Sequence, residues 1–469
     1  MAALIIMGAM THDQAHDAAP HGGVFSYTQE HFEALADAAL AHAKKLGASD
    51  AAVSVSESLG LSVTARCGEP ETVEHHRGKS LEVTVYLGQR SGSADTADFS
   101  AASVQSAVQA AYDIARFTAE DPAAGLPDEA LVAQADAQPD LDLFHPWAID
   151  SAQALALALR AERAAYAVDA RISNSEGASV WAGQRHFFAA HTHGFRGGLA
   201  SSSHGLSVTP IAQDASGMQR DWWQSAARDA AELAAPEEVG RIAAERTLRR
   251  LGAQPLTTRQ CPVLFEAPLA LGMLGIVLRA LGGGALYRRM SFLQDSLGEE
   301  VLAAHLDIDS DPLVPRALGS SPFDGEGIRL APRRVVEGGR VQGYVLGSYS
   351  ARKLGMTATG ATGNVRLASR LTQPGDTFDA MLERMGEGLL VTELIGQGVN
   401  MVTGDYSRGA SGFWVQGGRI AHAVEGVTIA GNLRDMLRDV QAVGADAYTH
   451  GALTSGSVLI GKMTVAGEG

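Results

Sequence analysis

Residues 51–96 read AAVSVSESLGLSVTARCGEPETVEHHRGKSLEVTVYLGQRSGSADT. Apolar and polar residues alternate through the stretch. A period of two marks strands with one face on a core and the other toward water. Breaks fall at Gly60, at Gly68-Glu69-Pro70 and at Gly78. The stretch therefore predicts a meander of about four antiparallel strands.

Helices flank this meander. Upstream, YTQEHFEALADAALAHAKKLGASD (27–50) places Phe32, Leu35, Ala39, Leu40 and Ala43 near helical spacing, with Gly47 as a stop. Downstream, SAASVQSAVQAAYDIARFT (100–118) reads as a second helix. Residues 120–148, rich in Asp, Pro and Ala, form a connector that ends in DLDLFHP (140–146). A helix over 151–169 follows, then two or three strands including HFFAAHTHGF (186–195) and ASSSHGLSVTP (200–210). PEEVGRIAAERTLRRL (236–251) closes this half, with Pro236 in its first turn and Gly252 at its end.

From about residue 256 the texture changes to glycine-rich, short strands. RRVVEGGRVQGYVLG (333–347) and FWVQGGRIAHAV (413–424) read as hairpins with Gly-Gly turns. Only LGMLGIVLRALGGGALYRRMSF (271–292) and DTFDAMLERMG (376–386) read as helices there. The expected class is α+β. An N-terminal antiparallel sheet with packed helices spans 25–255, and a glycine-rich, β-rich domain spans 256–469. Residues 1–24 read as a flexible tail, because MAALIIMGAM lacks the basic flank of a signal peptide. His12, His16 and His21 in that tail are weak metal ligands at most.

Composition narrows the function. The 469 residues carry a formal charge of -16, a poor footprint for nucleic acid. Cys67 and Cys261 form no metal spacing and no disulfide framework, which points to a reducing cytoplasm. The apolar run from Pro268 to Leu286 is interrupted by Gly272, Gly275, Arg279 and Gly282–Gly284, so a buried helix is expected rather than a membrane span.

Most catalytic motifs fail. GKS at 78–80 would need a glycine where Val73 stands to be a phosphate loop. Gly282–Gly284 follows a helical segment, where glycines supply a stop, and phosphates need a helix N-terminus. No G-x-S-x-G elbow occurs, which leaves Ser407 and Ser411 in GDYSRGASG (404–412) as turn residues. His191 and His193 share a strand face without a third ligand, while His75 and His76 point to opposite faces. No histidine is followed by glutamate anywhere, so H-E-x-x-H and H-E-x-x-x-H are both absent.

Five strings then stand in order: DLDLFHP (140–146), LGSSPFDGEGIRLAPRRVVEGG (318–339), GSYSARKLGM (347–356), VTELIGQGVNMVTGDYSRGASGFWVQGGRI (391–420) and VTIAGNLRDMLRDV (427–440). Together they resemble the PmbA (TldE) branch of the TldD/PmbA family, from about Phe25 to the C-terminus. The resemblance implies a two-subunit metalloprotease that cuts unfolded or ribosomally made peptides, leader peptides among them. It implies zinc in a TldD-like partner, held by H-E-x-x-x-H on a helix and a Cys near the C-terminus. The positions of this chain that match those ligands are Gly275, Ile276, Ala280 and Ser455. No catalytic residue, cofactor or metal is then expected in this chain, whose role would be to complete the substrate chamber.

Substrate or partner contacts are expected in SPFDGEG and GDYSRGASGFW. Phe323, Tyr406 and Trp414 could anchor side chains there, and Asp324, Asp405 and Arg408 could fix backbone or termini. Two alternatives compete. One is a protein-binding regulator. The other is a serine hydrolase using Ser407 or Ser411 with His422. The sequence leaves open whether the chain also forms a homodimer. No membrane or nucleic-acid partner is expected.

Overall fold

The computed structural model describes residues 23–134 and 138–467. The tail expectation, with its three histidines, falls outside them apart from Gly23 and Val24.

Helix α1 (Gln29–Leu46) starts where the Thr28 hydroxyl accepts from the His31 N–H and ends at left-handed Gly47, φ 93°. The meander has three strands rather than four: β1 (Asp50–Arg66), β2 (Glu69–Leu87) and β3 (Arg90–Thr96). Cys67 and Gly68 make the turn between the first two, both with positive φ (52° and 81°). Gly60 and Gly78 do not break strands. They pair with His76 and Ser58 inside the long hairpin. A Cβ on Gly60 would stand 1.7 Å from His76 Cε1, so this glycine admits a ring instead of stopping a strand.

The remaining N-terminal elements are α2 (Ala101–Phe117), α3 (Ser151–Tyr166), β4 (Ile172–His191), β5 (Arg196–Asp214), β6 (Gly217–Arg220), β7 (Trp223–Ala227) and α4 (Pro236–Arg249). They complete a seven-stranded sheet in the order β3-β2-β1-β4-β5-β6, with β7 also beside β5. Alternate residues of β1 bury on a single face. Val53 and Val55 pack with Phe32, Val104 and Val108 of α1 and α2. Further along, Val63 and Ala65 pack with Ala154, Ala161 and Val239 of α3 and α4. Two helix pairs therefore lie side by side on one face. The second pair packs closely through small residues: a Cβ on Gly240 would lie 2.1 Å from the Ala161 carbonyl oxygen.

Glu57 is a charge buried in this sheet, 2% exposed. Burial pushes its carboxyl up. The His186 ring, the Ser26 N–H and Arg77 outweigh that and hold it down at about 2. A depressed carboxylate stabilises the fold above its ordinary value and loses that contribution as pH falls. Glu57→Gln is expected to cost on the order of 2 kcal/mol at neutral pH. The variant should also show a flatter fall in stability between pH 4.5 and 2 than the wild type. Urea midpoints across that range check this, and parallel curves for the two proteins would rule Glu57 out.

The second half runs β8 (Arg259–Phe265), α5 (Ala267–Ala280), α6 (Gly283–Tyr287), β9 (Leu306–Asp311), β10 (Arg333–Glu337), β11 (Arg340–Val341), α7 (Ser348–Leu354), β12 (Asn364–Ser369), α8 (Phe378–Met385), β13 (Gly388–Ile395), β14 (Asp405–Gln416), β15 (Arg419–Asn432), α9 (Leu433–Arg438), β16 (Val440–Val443), β17 (Tyr448–His450), β18 (Leu453–Ser455) and β19 (Val458–Ala466). Two six-stranded sheets result, β11-β10-β9-β12-β18-β17 and β15-β14-β13-β8-β19-β16. Both Gly-Gly hairpins turn through positive φ, at Gly338-Gly339 and Gly417-Gly418. One continuous core joins side chains of both sheets with α5.

The glycine run is more than a stop. Gly282 caps the short helix α6, and a Cβ on Gly283 would meet Ser350 Oγ at 2.1 Å. These glycines let α6 lie against α7. No helix among the described residues is long and apolar enough to cross a membrane.

Candidate functional site

Helix α5 is placed by charge at its start and by packing along its length. Glu266, the residue before it, takes both arms of the Arg246 guanidinium from α4, at 2.7 and 2.9 Å. Arg246 also lies 3.3 Å from Asp221 and over the Trp223 ring. Farther along, α5 rests on β18, where a Cβ on Gly275 would touch Leu453 Cδ1 at 3.9 Å. The fold thus brings together the two segments that the family resemblance matches to a sister subunit's zinc ligands.

Their chemistry does not suit a metal. Gly275 has no side chain, and Ile276 and Ala280 are buried in the apolar core. Ser455 is buried, and its hydroxyl donates to the Gly456 carbonyl at 2.8 Å. Zinc takes imidazole, thiolate or carboxylate donors, and these four positions supply none. Among the described residues, no three His, Cys, Asp or Glu side chains converge to hold an ion. Beyond Gly275, Gly272 is exposed, with nothing within 4 Å of a Cβ placed there.

Side chains alternate along β18, so Thr454 faces away from α5. It lines a groove of about 770 Å³ between the two halves of the chain. Strands β7 and β17 are edge strands of their sheets and border this groove. They meet at one end, where Trp223 lies 5.4 Å from Tyr448 and Gln224 contacts His450. The rest of the lining includes the charged residues Asp309, Asp311, Arg316 and Arg366. Arg228 is fixed there by the carbonyls of Ser202, Ala317 and Leu318. An extended chain could find backbone partners on the strand edges and charged groups for its side chains or termini.

The six residues expected to make contacts do not form one site. Phe323 is buried against Phe195, with ring centres 4.9 Å apart. Asp324 accepts from the N–H groups of Glu326, Ile328 and Ala361, and burial pushes its carboxyl up. Tyr406 and Trp414 are core residues, and Arg259 lies over the Trp414 ring. Burial pushes the Tyr406 hydroxyl up to about 12. Asp405 is exposed, but it is bound to Thr403 two residues away and to Asn432 on the facing strand β15. Arg408 is half-buried, and its Nε has no hydrogen-bond partner.

The serine-hydrolase alternative finds no geometry. Ser407 is paired opposite Ala430 and Ser411 opposite Glu393, whereas His422 is opposite Trp414. His422 Nδ1 is 3.1 Å from the Ala423 carbonyl oxygen. Nor do His191 and His193 make a metal pair. His191 is the last residue of β4, and burial holds its ring down at about 4. His193 sits in the turn beyond, between Asp50 and the Pro127 carbonyl.

Sequence reasoning missed the groove and the Arg246 cluster. The groove is assembled from segments around 225, 310, 365 and 450, which carry no local motif. The cluster left a fainter trace: Arg246 and Arg250 are one helical turn apart, and Glu266 precedes an apolar helix.

Comparison with known proteins completes the picture. The models of the PmbA/TldA metallopeptidase family match this chain as domain 1 (51–115), central domain (144–251) and C-terminal domain (258–467). Metalloprotease PmbA of Escherichia coli O157:H7 is 44% identical, covering 90% of this chain and 93% of that one. A PmbA homolog of Haemophilus influenzae is 43% identical, covering 91% of this chain and 94% of that one. The crystal structure of TldE from Thermococcus kodakarensis shares the fold, with a TM-score of 0.80 at 16% identity, covering 92% of this chain and all 100% of that one. From its sequence through its three family segments to its fold, this chain belongs to the PmbA/TldA metallopeptidase family.

Proposed function

We propose that this chain is the non-catalytic subunit of a heteromeric metalloprotease that acts on unfolded or ribosomally made peptides in the cytoplasm. A TldD-like partner would hold the zinc and perform the cleavage. This chain would complete the substrate chamber and support that subunit. The observation that carries the reading is the α5–β18 pair: it keeps the helix and strand but offers Gly275, Ile276, Ala280 and a committed Ser455 hydroxyl in place of donors. The edges of β7 and β17 beside the groove support a role in holding extended peptide.

The test is purification of the chain alone and together with its TldD-like partner, followed by zinc analysis and cleavage of an unfolded peptide. Cleavage and stoichiometric zinc should require the partner. Zinc bound by this chain alone, or peptide cut by it alone, would overturn the proposal. A chain that never associates with the partner would favour the regulator instead.

A further inference from the structure

Val53 and Val55 of β1 face the helices, so Ala52 and Ser54 face the other side of the N-terminal sheet. Residues paired across neighbouring strands share a face. Thr84, Ala52 and His191 therefore form one row across β2, β1 and β4, and Glu82, Ser54 and Ala189 form the next. The small side chains of Ala52, Ser54 and Ala189 leave a hollow. The connector at 125–127 and the loop at 325–326 cover it, and a cavity of about 210 Å³ remains.

His191 gives this cavity a donor with nothing to donate to. The residue is 6% exposed, and its ring is neutral at pH 7. Its Nδ1 accepts from the His193 N–H at 3.2 Å. A neutral imidazole carries one proton, which therefore sits on Nε2. Nε2 points away from that turn and has no hydrogen-bond partner. The Glu326 carbonyl pulls on the ring from the cavity side without meeting Nε2 in hydrogen-bond geometry. Buried donors are normally satisfied, and an acceptor on a ligand would satisfy this one.

Charge narrows the ligand. The lining holds two carboxylates, Glu82 and Glu326, the Tyr86 hydroxyl, and no lysine or arginine. Arg352 stands behind the connector, where its donors go to the carbonyls of Ala123, Gly125 and Leu126. The cavity thus favours a cation that also carries an acceptor. A metal ion has no acceptor to offer, and no three ligands for one converge among the described residues. A free amino acid has one, but it brings a carboxylate beside Glu82 and Glu326. An α-ammonium next to an amide carbonyl meets both demands. The cavity is smaller than ordinary small-molecule sites of roughly 300–1,000 Å³, which suits one residue at the end of a chain. Glu82 and Gly325 are its exposed lining residues and mark where the chain would leave.

We propose that this cavity captures the free amino end of a peptide. The ammonium pairs with Glu82 and Glu326, and the first carbonyl accepts from His191 Nε2. Glu326 keeps one oxygen for this, since its Oε2 accepts from the Ser348 N–H at 2.7 Å. The inference concerns binding by this chain alone and does not depend on the proposed function.

Isothermal titration calorimetry of the full chain with the tripeptide amide Ala-Ala-Ala-NH2 is expected to show one site, with Kd on the order of 1 mM. Acetylating its amino group should weaken binding about tenfold, because the charged hydrogen bonds are lost. His191→Phe keeps a ring in place and should also weaken it about tenfold. Glu82→Gln, at an exposed and screened position, should weaken it about threefold without touching the fold. No binding of the free tripeptide amide, or equal binding of its acetylated form, would overturn the proposal. So would wild-type affinity in either variant. Methylammonium binding as tightly as the tripeptide amide would overturn it too, because the carbonyl would then contribute nothing.

Discussion

Arg246→Met is expected to destabilise the folded chain by about 3–5 kcal/mol, because it strands buried carboxylates. Arg246 is held by Glu266 through two hydrogen bonds and lies 3.3 Å from Asp221. Asp221 is 6% exposed. Its second cation, Arg250, stays 3.9 Å away and is also claimed by Glu393. Methionine keeps most of the packing over Trp223 and removes only the charge and its donors. The loss should therefore be electrostatic, and pH should reveal it. Burial already pushes the Asp221 carboxyl up against the pull of Arg246, the Trp222 N–H and Arg250. Without Arg246 it rises further. A carboxyl raised in the folded state binds its proton there first, so its penalty is full at neutral pH and shrinks as pH falls. The gap between variant and wild type should narrow from pH 7 to pH 5. Arg246→Met/Glu266→Gln should recover part of it, because one stranded charge is gone. Urea denaturation of the three proteins at both pH values measures all of this. A variant as stable as the wild type at pH 7 would sink the argument. The cluster also ties α4 to the start of α5, so its loss should loosen the helix that faces β18.

How much of this could be read beforehand depended on the range of each signal. Period two in 51–96 identified the hairpin, because alternation is a local property of a strand on a core. Its glycines misled for an equally local reason. Gly60 looks like a break in one dimension and is a ring's resting place in two, since His76 lies on the neighbouring strand. Helices α1, α2 and α4 were legible from caps and spacing. Helices α6, α7 and α9 have at most seven residues, too few turns for a period to show. Gly275, Ile276, Ala280 and Ser455 were marked out by the family resemblance alone, as positions without donors, and no local pattern points to them. The groove was not legible at all, because its strand edges become neighbours only after both sheets have formed. Aromatic residues beside glycine, such as Phe323 in SPFDGEG, read equally well as exposed anchors or as core. Burial separates the two, and burial is not a local property.

Phe323→Ala puts that distinction to the test, with an expected loss of about 3–5 kcal/mol. The ring meets Phe195 edge-on at 4.9 Å and Phe187 at 6.1 Å, both from the N-terminal sheet segment. Val132 and Ala133 of the connector complete the cluster. The backbone around it is built to admit the rings. A Cβ on Gly197 would fall 2.8 Å from Phe323 Cε1, and one on Gly327 would fall 2.5 Å from Phe195 Cγ. The connector is stitched to the same loop, with the Ala133 N–H donating to Gly327 and the Arg329 N–H to Leu131. Removing the ring leaves a cavity that these paired backbones cannot close, so the transfer loss and the cavity loss add. Phe323→Leu should cost less than half as much, because most of the volume remains. Thermal and urea unfolding give both figures, and limited proteolysis should cut the alanine variant first in the connector. A peptide anchor would behave differently. Alanine would leave stability unchanged and raise KM for peptide in the proposed complex with a TldD-like partner. That result would return Phe323 to the substrate surface. A large loss of stability in the isolated chain would fix it as the bolt between the N-terminal sheet and the C-terminal half.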